Sequence, residues 1–151
     1  MTLCIGMISR NSIVFASDSR ATIGDPLGLV TANDTIKKTF RLTERCGLLM
    51  AGAGELGMTV LDLAIAKLYQ RPGPDELSID SIVKEICPVF VNEWSRWFGA
   101  APPPGRPPLG LIVGGYTKTE KGFDSPKIYT LLSQLNFAPS TNSMGFAAAG
   151  G

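Results

Sequence analysis

A chain of 151 residues with 44% apolar content can build one domain core, and a formal net charge of +1 supplies neither a basic field for nucleic acid nor an acidic solvating tail. It has no histidine, which excludes Ser-His and Cys-His catalytic pairs, the zincin motif and Cys/His zinc sites. The three cysteines (Cys4, Cys46, Cys87) form no close-spaced pair, no run approaches the roughly 18 apolar residues of a membrane span, and residues 1–8 lack the pattern of a signal peptide, so a soluble cytoplasmic protein without disulfides is expected.

Residues 3–9 and 13–17 are apolar, partly β-branched runs joined by Arg10-Asn11-Ser12, which predicts a hairpin. Residues 22–35 are polar and hold Gly24, Pro26 and Gly28, so they read as loop. Residues 36–42 and 46–51 form a second predicted hairpin turning at Thr43-Glu44-Arg45. Several of these runs are apolar on both faces, as in sheets covered on both sides.

Two helices follow. Over residues 55–70, Met58, Leu61, Ile65 and Leu68 recur at helical spacing until Pro72-Gly73-Pro74 stops the run. In the second, Ser78 is the expected N-cap and Ile79, Ile82, Ile86, Phe90, Trp94 and Trp97 make one apolar stripe. That stripe reads as core, and Pro88 inside it predicts a kink. The proline-rich stretch 100–108 is expected to be an extended, exposed connector. Residues 109–116, 127–132 and 144–149 are again strand-like. Strands, two consecutive helices and strands again imply an α+β fold, with 1–151 as a single domain.

Gly52-Ala53-Gly54-Glu55-Leu56-Gly57 satisfies G-x-G-x-x-G between a predicted strand and a predicted helix, the context of a dinucleotide-binding turn. The helix is followed by another helix instead of a second parallel strand, and the strand before the motif is one arm of a hairpin. The glycines therefore read better as sites of close backbone approach than as a nucleotide cradle.

The segment Ala16-Ser17-Asp18-Ser19-Arg20-Ala21-Thr22 closes the second strand with a dense polar cluster, and Thr2 directly follows Met1, which its small size allows to be removed. Thr-Leu-Cys-Ile-Gly at 2–6, Ala-Ser-Asp-Ser-Arg-Ala-Thr at 16–22, Lys-Lys-Thr-Phe at 37–40 and Met-Ala-Gly-Ala-Gly at 50–54 together resemble proteasome β-subunits and their bacterial relatives, the ring peptidase HslV and Anbu-type proteins. The four motifs come in the family's order at nearly its spacing; the loop 24–33 is a few residues longer.

The resemblance implies an Ntn-hydrolase αββα sandwich of two stacked, mainly antiparallel sheets, and a threonine-type endopeptidase. A threonine hydroxyl needs a neighbouring base, and a free α-amine, with a pKa of about 7.7–8.0, supplies one without histidine. By resemblance, Thr2 is nucleophile and base, Lys38 lowers the pKa of its hydroxyl, Asp18 holds Lys38, and the Gly52 N–H stabilises the oxyanion. Ala21, Thr22, Met50 and Gly54 fall at substrate-binding positions and imply an apolar preference. The implied partners are a polypeptide substrate, a homo-oligomeric ring and an ATPase unfoldase, with no nucleic acid, membrane, cofactor or metal.

The sequence departs from the family at Ala149-Gly150-Gly151, where a Gly-Ser-Gly turn is expected, and it lacks the family's C-terminal helices and strands. Their lack is expected to leave apolar sheet surface uncovered between Leu109 and Ala149. The alternative reading is a noncatalytic structural subunit or a degenerate fragment; a related acyl transfer on another substrate shares the same first covalent step.

Overall fold

The structure, a computed structural model, describes residues 3–24, 30–119, 122–141 and 145–150. The predicted hairpins form as β1 (Leu3–Ser9) with β2 (Ser12–Ser17) and β5 (Thr39–Thr43) with β6 (Cys46–Gly52). Between them lies a correction to the sequence reading. The stretch expected to be loop contains β3 (Ala21–Gly24) paired antiparallel with β4 (Val30–Asn33). Its pairs are Ala21 with Asn33, Thr22 with Ala32, Ile23 with Thr31 and Gly24 with Val30, so Gly24, one of the residues that signalled loop, ends a strand arm that also holds β-branched Thr and Ile.

Helices α1 (Gly54–Tyr69) and α2 (Ile79–Phe98) lie next to each other in sequence, as the periodicity predicts. The Ser78 side chain caps α2 by accepting the Ser81 N–H at 3.2 Å. The helix runs on through Pro88. Both Pro88 and Lys84, whose carbonyl loses its usual partner four residues on, are exposed, so the missing bond faces solvent. After α2 come β7 (Leu109–Thr119), β8 (Gly122–Leu132), β9 (Ser140–Thr141) and β10 (Phe146–Gly150). The connector between α2 and β7 is more structured than expected. A 3-10 turn forms at Pro103–Gly105, and the Pro107 carbonyl accepts both Trp94 Nε1–H at 3.3 Å and Ser133 Oγ–H at 3.0 Å. The proline stretch is thereby tied to helix and sheet.

A five-stranded sheet in the order β5-β6-β7-β8-β9 carries the helices on one face and a three-stranded sheet, β10-β1-β2, on the other. Every described pairing is antiparallel. Strand β6 shows why its sequence is apolar without alternation. Leu48 and Met50 face the helices beside Leu61, Ile82 and Phe90, while Leu49 and Ala51 face the small sheet beside Cys4, Ala147 and Ala149. The helix layer is also clipped by polar contacts. Asp80, in the first turn of α2, accepts the Tyr129 hydroxyl, Lys127 Nζ at 3.1 Å and Thr117 Oγ1–H at 3.2 Å from β7 and β8.

The layers described are thus helices, large sheet, small sheet: an α+β arrangement of the Ntn-hydrolase sandwich type, without the second helical layer among the described residues. Among the described residues of the strands from Leu109 to Ala149, only Phe146 in β10 exposes a large apolar side chain. Leu111, Ile112, Val113 and Leu131 are buried because the large sheet is covered on both faces. Exposed apolar side chains gather on the outer face of the small sheet, at Leu3, Met7, Val14 and Phe146, while Ile36, Leu56, Leu63, Tyr69 and Leu135 are exposed singly elsewhere.

Candidate active site

The site is built where three strand ends meet. Asp18 directly follows β2, Lys38 directly precedes β5, and Gly52 ends β6. Lys38 is almost fully buried, at 6% exposure, and its ammonium donates to Asp18 Oδ1 at 2.9 Å and to the Arg20 carbonyl. A buried cation is costly to desolvate unless its donors are met, and here a carboxylate and a carbonyl meet it. The same Asp18 oxygen accepts the Leu3 N–H at 2.9 Å. That amide and the Lys38 ammonium hold the Asp18 carboxyl below its ordinary range, the amide being the larger influence.

Thr2 lies outside the described residues. The neighbouring backbone is fixed on two sides: Leu3 N–H to Asp18 Oδ1, and the Leu3 carbonyl accepting the Asp18 N–H at 3.2 Å. Of the substrate-binding candidates, Met50 is buried in β6, on the helix side of the sheet. For Ala21 and Thr22 only the backbone, in β3, is described. Gly54 opens α1, and a Cβ there would meet nothing within 4 Å.

Gly52 has φ +103°, and a Cβ there would lie 2.1 Å from the Pro108 carbonyl oxygen, so both conformation and space demand glycine. This is the close approach that the glycine pattern predicted. The dinucleotide reading has no βαβ unit to stand on, since β6 pairs antiparallel with both β5 and β7.

Two contributions were missed by the sequence reading. The Arg20 carbonyl is a backbone acceptor and carries no side-chain signal. Cys4 is fully buried and donates its thiol to the Met50 carbonyl at 3.4 Å, bridging the two sheets beneath the Lys38 pair. Burial raises its pKa, opposed by the nearby Lys38 charge. The alternation of β1 points Cys4 inward, but its partner is 46 residues away and on another sheet.

Among the described residues no group of three or more Cys, Asp or Glu side chains is arranged to hold a metal ion, and no helix is long and apolar enough to cross a membrane. Chemically, the arrangement is a buried, fixed ammonium linked through Asp18 to the Leu3 amide.

A sequence model described as proteasome subunit matches residues 2–131. The chain belongs to the proteasome subunit family. Proteasome subunit beta 1 of Thermococcus gammatolerans is 26% identical over 162 aligned positions, covering 98% of this chain and 68% of the relative. Proteasome subunit beta 2 of Pyrococcus furiosus is 27% identical, covering 97% and 65%, and proteasome subunit beta of Methanopyrus kandleri is 28% identical, covering 86% and 55%. The chain therefore spans between about half and two thirds of the length of these proteasome relatives, 55–68%. The family match takes in all three strand ends of the candidate site and both helices.

Proposed function

We propose that this chain is a threonine-type endopeptidase subunit whose nucleophile is Thr2, freed by removal of Met1. The observation that supports this best is the buried Lys38 ammonium held by Asp18, with the same Asp18 oxygen bound to the amide that follows Thr2. In this reading the Thr2 hydroxyl oxygen attacks the scissile carbonyl carbon while its proton passes to the Thr2 α-amine. Lys38 stabilises the developing alkoxide electrostatically, and the Gly52 N–H faces the tetrahedral oxyanion. Collapse expels the amine product, which takes the proton, and leaves an ester on Thr2 that water then hydrolyses. Ala21, Thr22, Met50 and Gly54 bind the substrate side chain and favour an apolar one.

Relatives named as proteasome β subunits support a polypeptide substrate and, by family resemblance, a homo-oligomeric ring in the cytoplasm served by an ATPase unfoldase. The test is turnover of a fluorogenic peptide with an apolar residue before the scissile bond: activity is expected in the wild type and absent in Thr2→Ala. Activity that survives Thr2→Ala would place the chemistry elsewhere.

A second reading, a noncatalytic structural subunit, draws on one observation. Ala149-Gly150-Gly151 stands where the family is expected to carry a serine-containing turn. It predicts ring assembly without turnover in the wild type.

A further inference from the structure

The space between the two sheets is unevenly filled. Toward Lys38 it is packed by Cys4, Leu49, Ala51 and Ile112. Farther along the same inward faces, the next positions of β6 and β7 are Gly47 and Gly114. Neither supplies a side chain, and the Phe15 ring from β2 lies over both: a Cβ would come within 2.8 Å of it at Gly47 and 2.6 Å at Gly114. What remains is a groove of about 440 Å³, opening on the side where β2 and β5 are sheet edges. That volume is within the range of small-molecule sites, roughly 300–1,000 Å³.

The groove has an aromatic interior and a cationic rim. Phe15 and Tyr116 line it from the inward faces of β2 and β7, Phe40 borders it with its side chain packed on the helix-side core, and Tyr116 is anchored by donating its hydroxyl to the Asn11 carbonyl at 3.4 Å. Lys37, Arg41 and Arg45 stand around it with Glu44, three cations against one carboxylate, a net +2 by 3 − 1. Arg41 and Glu44 pair at 3.1 Å, and Lys37 Nζ sits 5.9 Å from the Phe40 ring centroid.

We propose that this groove binds a small aromatic carboxylate of one or two rings. The ring would enter between the sheets against Phe15 and Tyr116, where offset or edge contacts between aromatic faces are favourable. The carboxylate would stay at the rim beside Lys37 and Arg41, whose guanidinium offers its Nη1 donors beyond the bonds that Nε makes to the Thr43 carbonyl at 3.2 Å and Nη2 makes to Glu44 at 3.1 Å. A neutral hydrocarbon would leave the rim charge unanswered, and a hydrophilic anion such as phosphate would leave the aromatic walls unused. None of these side chains belongs to the candidate active site, so the inference does not depend on the peptidase reading.

The test uses the full chain, with 2-naphthoate as probe and 2-naphthalenemethanol as its neutral counterpart, followed by calorimetry and amide NMR. Saturable naphthoate binding is expected, with the largest shifts at the Gly47 and Gly114 amides. Affinity should be about tenfold weaker for the alcohol and for the double variant Lys37→Gln/Arg41→Gln, equivalent to losing one or two charge-assisted contacts. Both substituted residues are exposed, and circular dichroism checks that the variant stays folded. Equal binding of acid and alcohol would overturn the proposal. So would unchanged binding in the double variant, shifts confined to the outer face at Met7 and Val14, or no binding at millimolar probe.

Discussion

Asp18 serves two donors with one oxygen, the Leu3 amide and the Lys38 ammonium, and this sharing makes the site sensitive to single changes. Lys38→Ala removes the cation beside the proposed nucleophile and is expected to lower kcat about 100-fold or more, with a smaller change in KM, in a peptide hydrolysis assay. A KM effect alone would assign Lys38 to substrate binding. Because the folded-state pKa of Asp18 is depressed, its contribution to stability is present above about pH 3.8 and lost as pH falls through the lowered value. The cysteines give a separate check. Burial pushes Cys46 up to about 12 and Cys87 to about 11, and raises Cys4, so all three thiols stay protonated at pH 8. Iodoacetamide is expected to leave the native protein unlabelled by mass spectrometry and to label all three after unfolding; rapid native labelling would contradict the packing. At this scale the sequence made the Asp18–Lys38 pair and the close backbone approach at Gly52 legible. The Arg20 carbonyl and the Cys4–Met50 bond were not, because each depends on a backbone oxygen brought in by tertiary structure.

Among the elements, α2 is held on the large sheet by a stripe of buried side chains and by the Asp80 clip. The Tyr129 hydroxyl donating to Asp80 favours the neutral phenol and raises its pKa to about 12, while Asp80 is depressed, chiefly by that same bond. Tyrosine's share of stability is therefore present below about pH 10 and lost as pH rises through about 12. Ultraviolet titration should show one of the three tyrosines ionising near 12, and that step should vanish in Tyr129→Phe. The same variant should lose about 1 kcal/mol, lowering Tm by about 2–4 °C. An unchanged titration curve would mean that the clip does not persist in solution. Both helices and most strands were readable from periodicity, the helix ends to within a residue or so, while β5 starts three residues later, β7 ends three later and β8 starts five earlier than expected. The β3–β4 pair was not, since glycine and proline at 24, 26 and 28 mark a turn without telling whether its flanks pair. Nor did proline content reveal that the 100–108 connector is bound by Trp94 and Ser133.

For the molecule as a whole, apolar pattern predicted that sheets would be covered on both faces, and this holds for β6 and β7. It could not show which sheet face is exposed among the described residues, because β1 and β2 are as apolar as the strands that are buried. The outer face with Leu3, Met7, Val14 and Phe146 is expected to make the 151-residue chain self-associate and bind a hydrophobic dye. The pair Met7→Lys/Val14→Lys should reduce both in light scattering and dye fluorescence; a monodisperse wild type without dye binding would contradict this. The central claim, that the chain is an N-terminal threonine hydrolase, is tested most directly by intact-mass spectrometry with and without a threonine-directed epoxyketone. The account predicts a species lacking Met1 that gains one inhibitor mass in the wild type and none in Thr2→Ala. Retention of Met1 in most molecules, or an adduct that persists in Thr2→Ala, would contradict it.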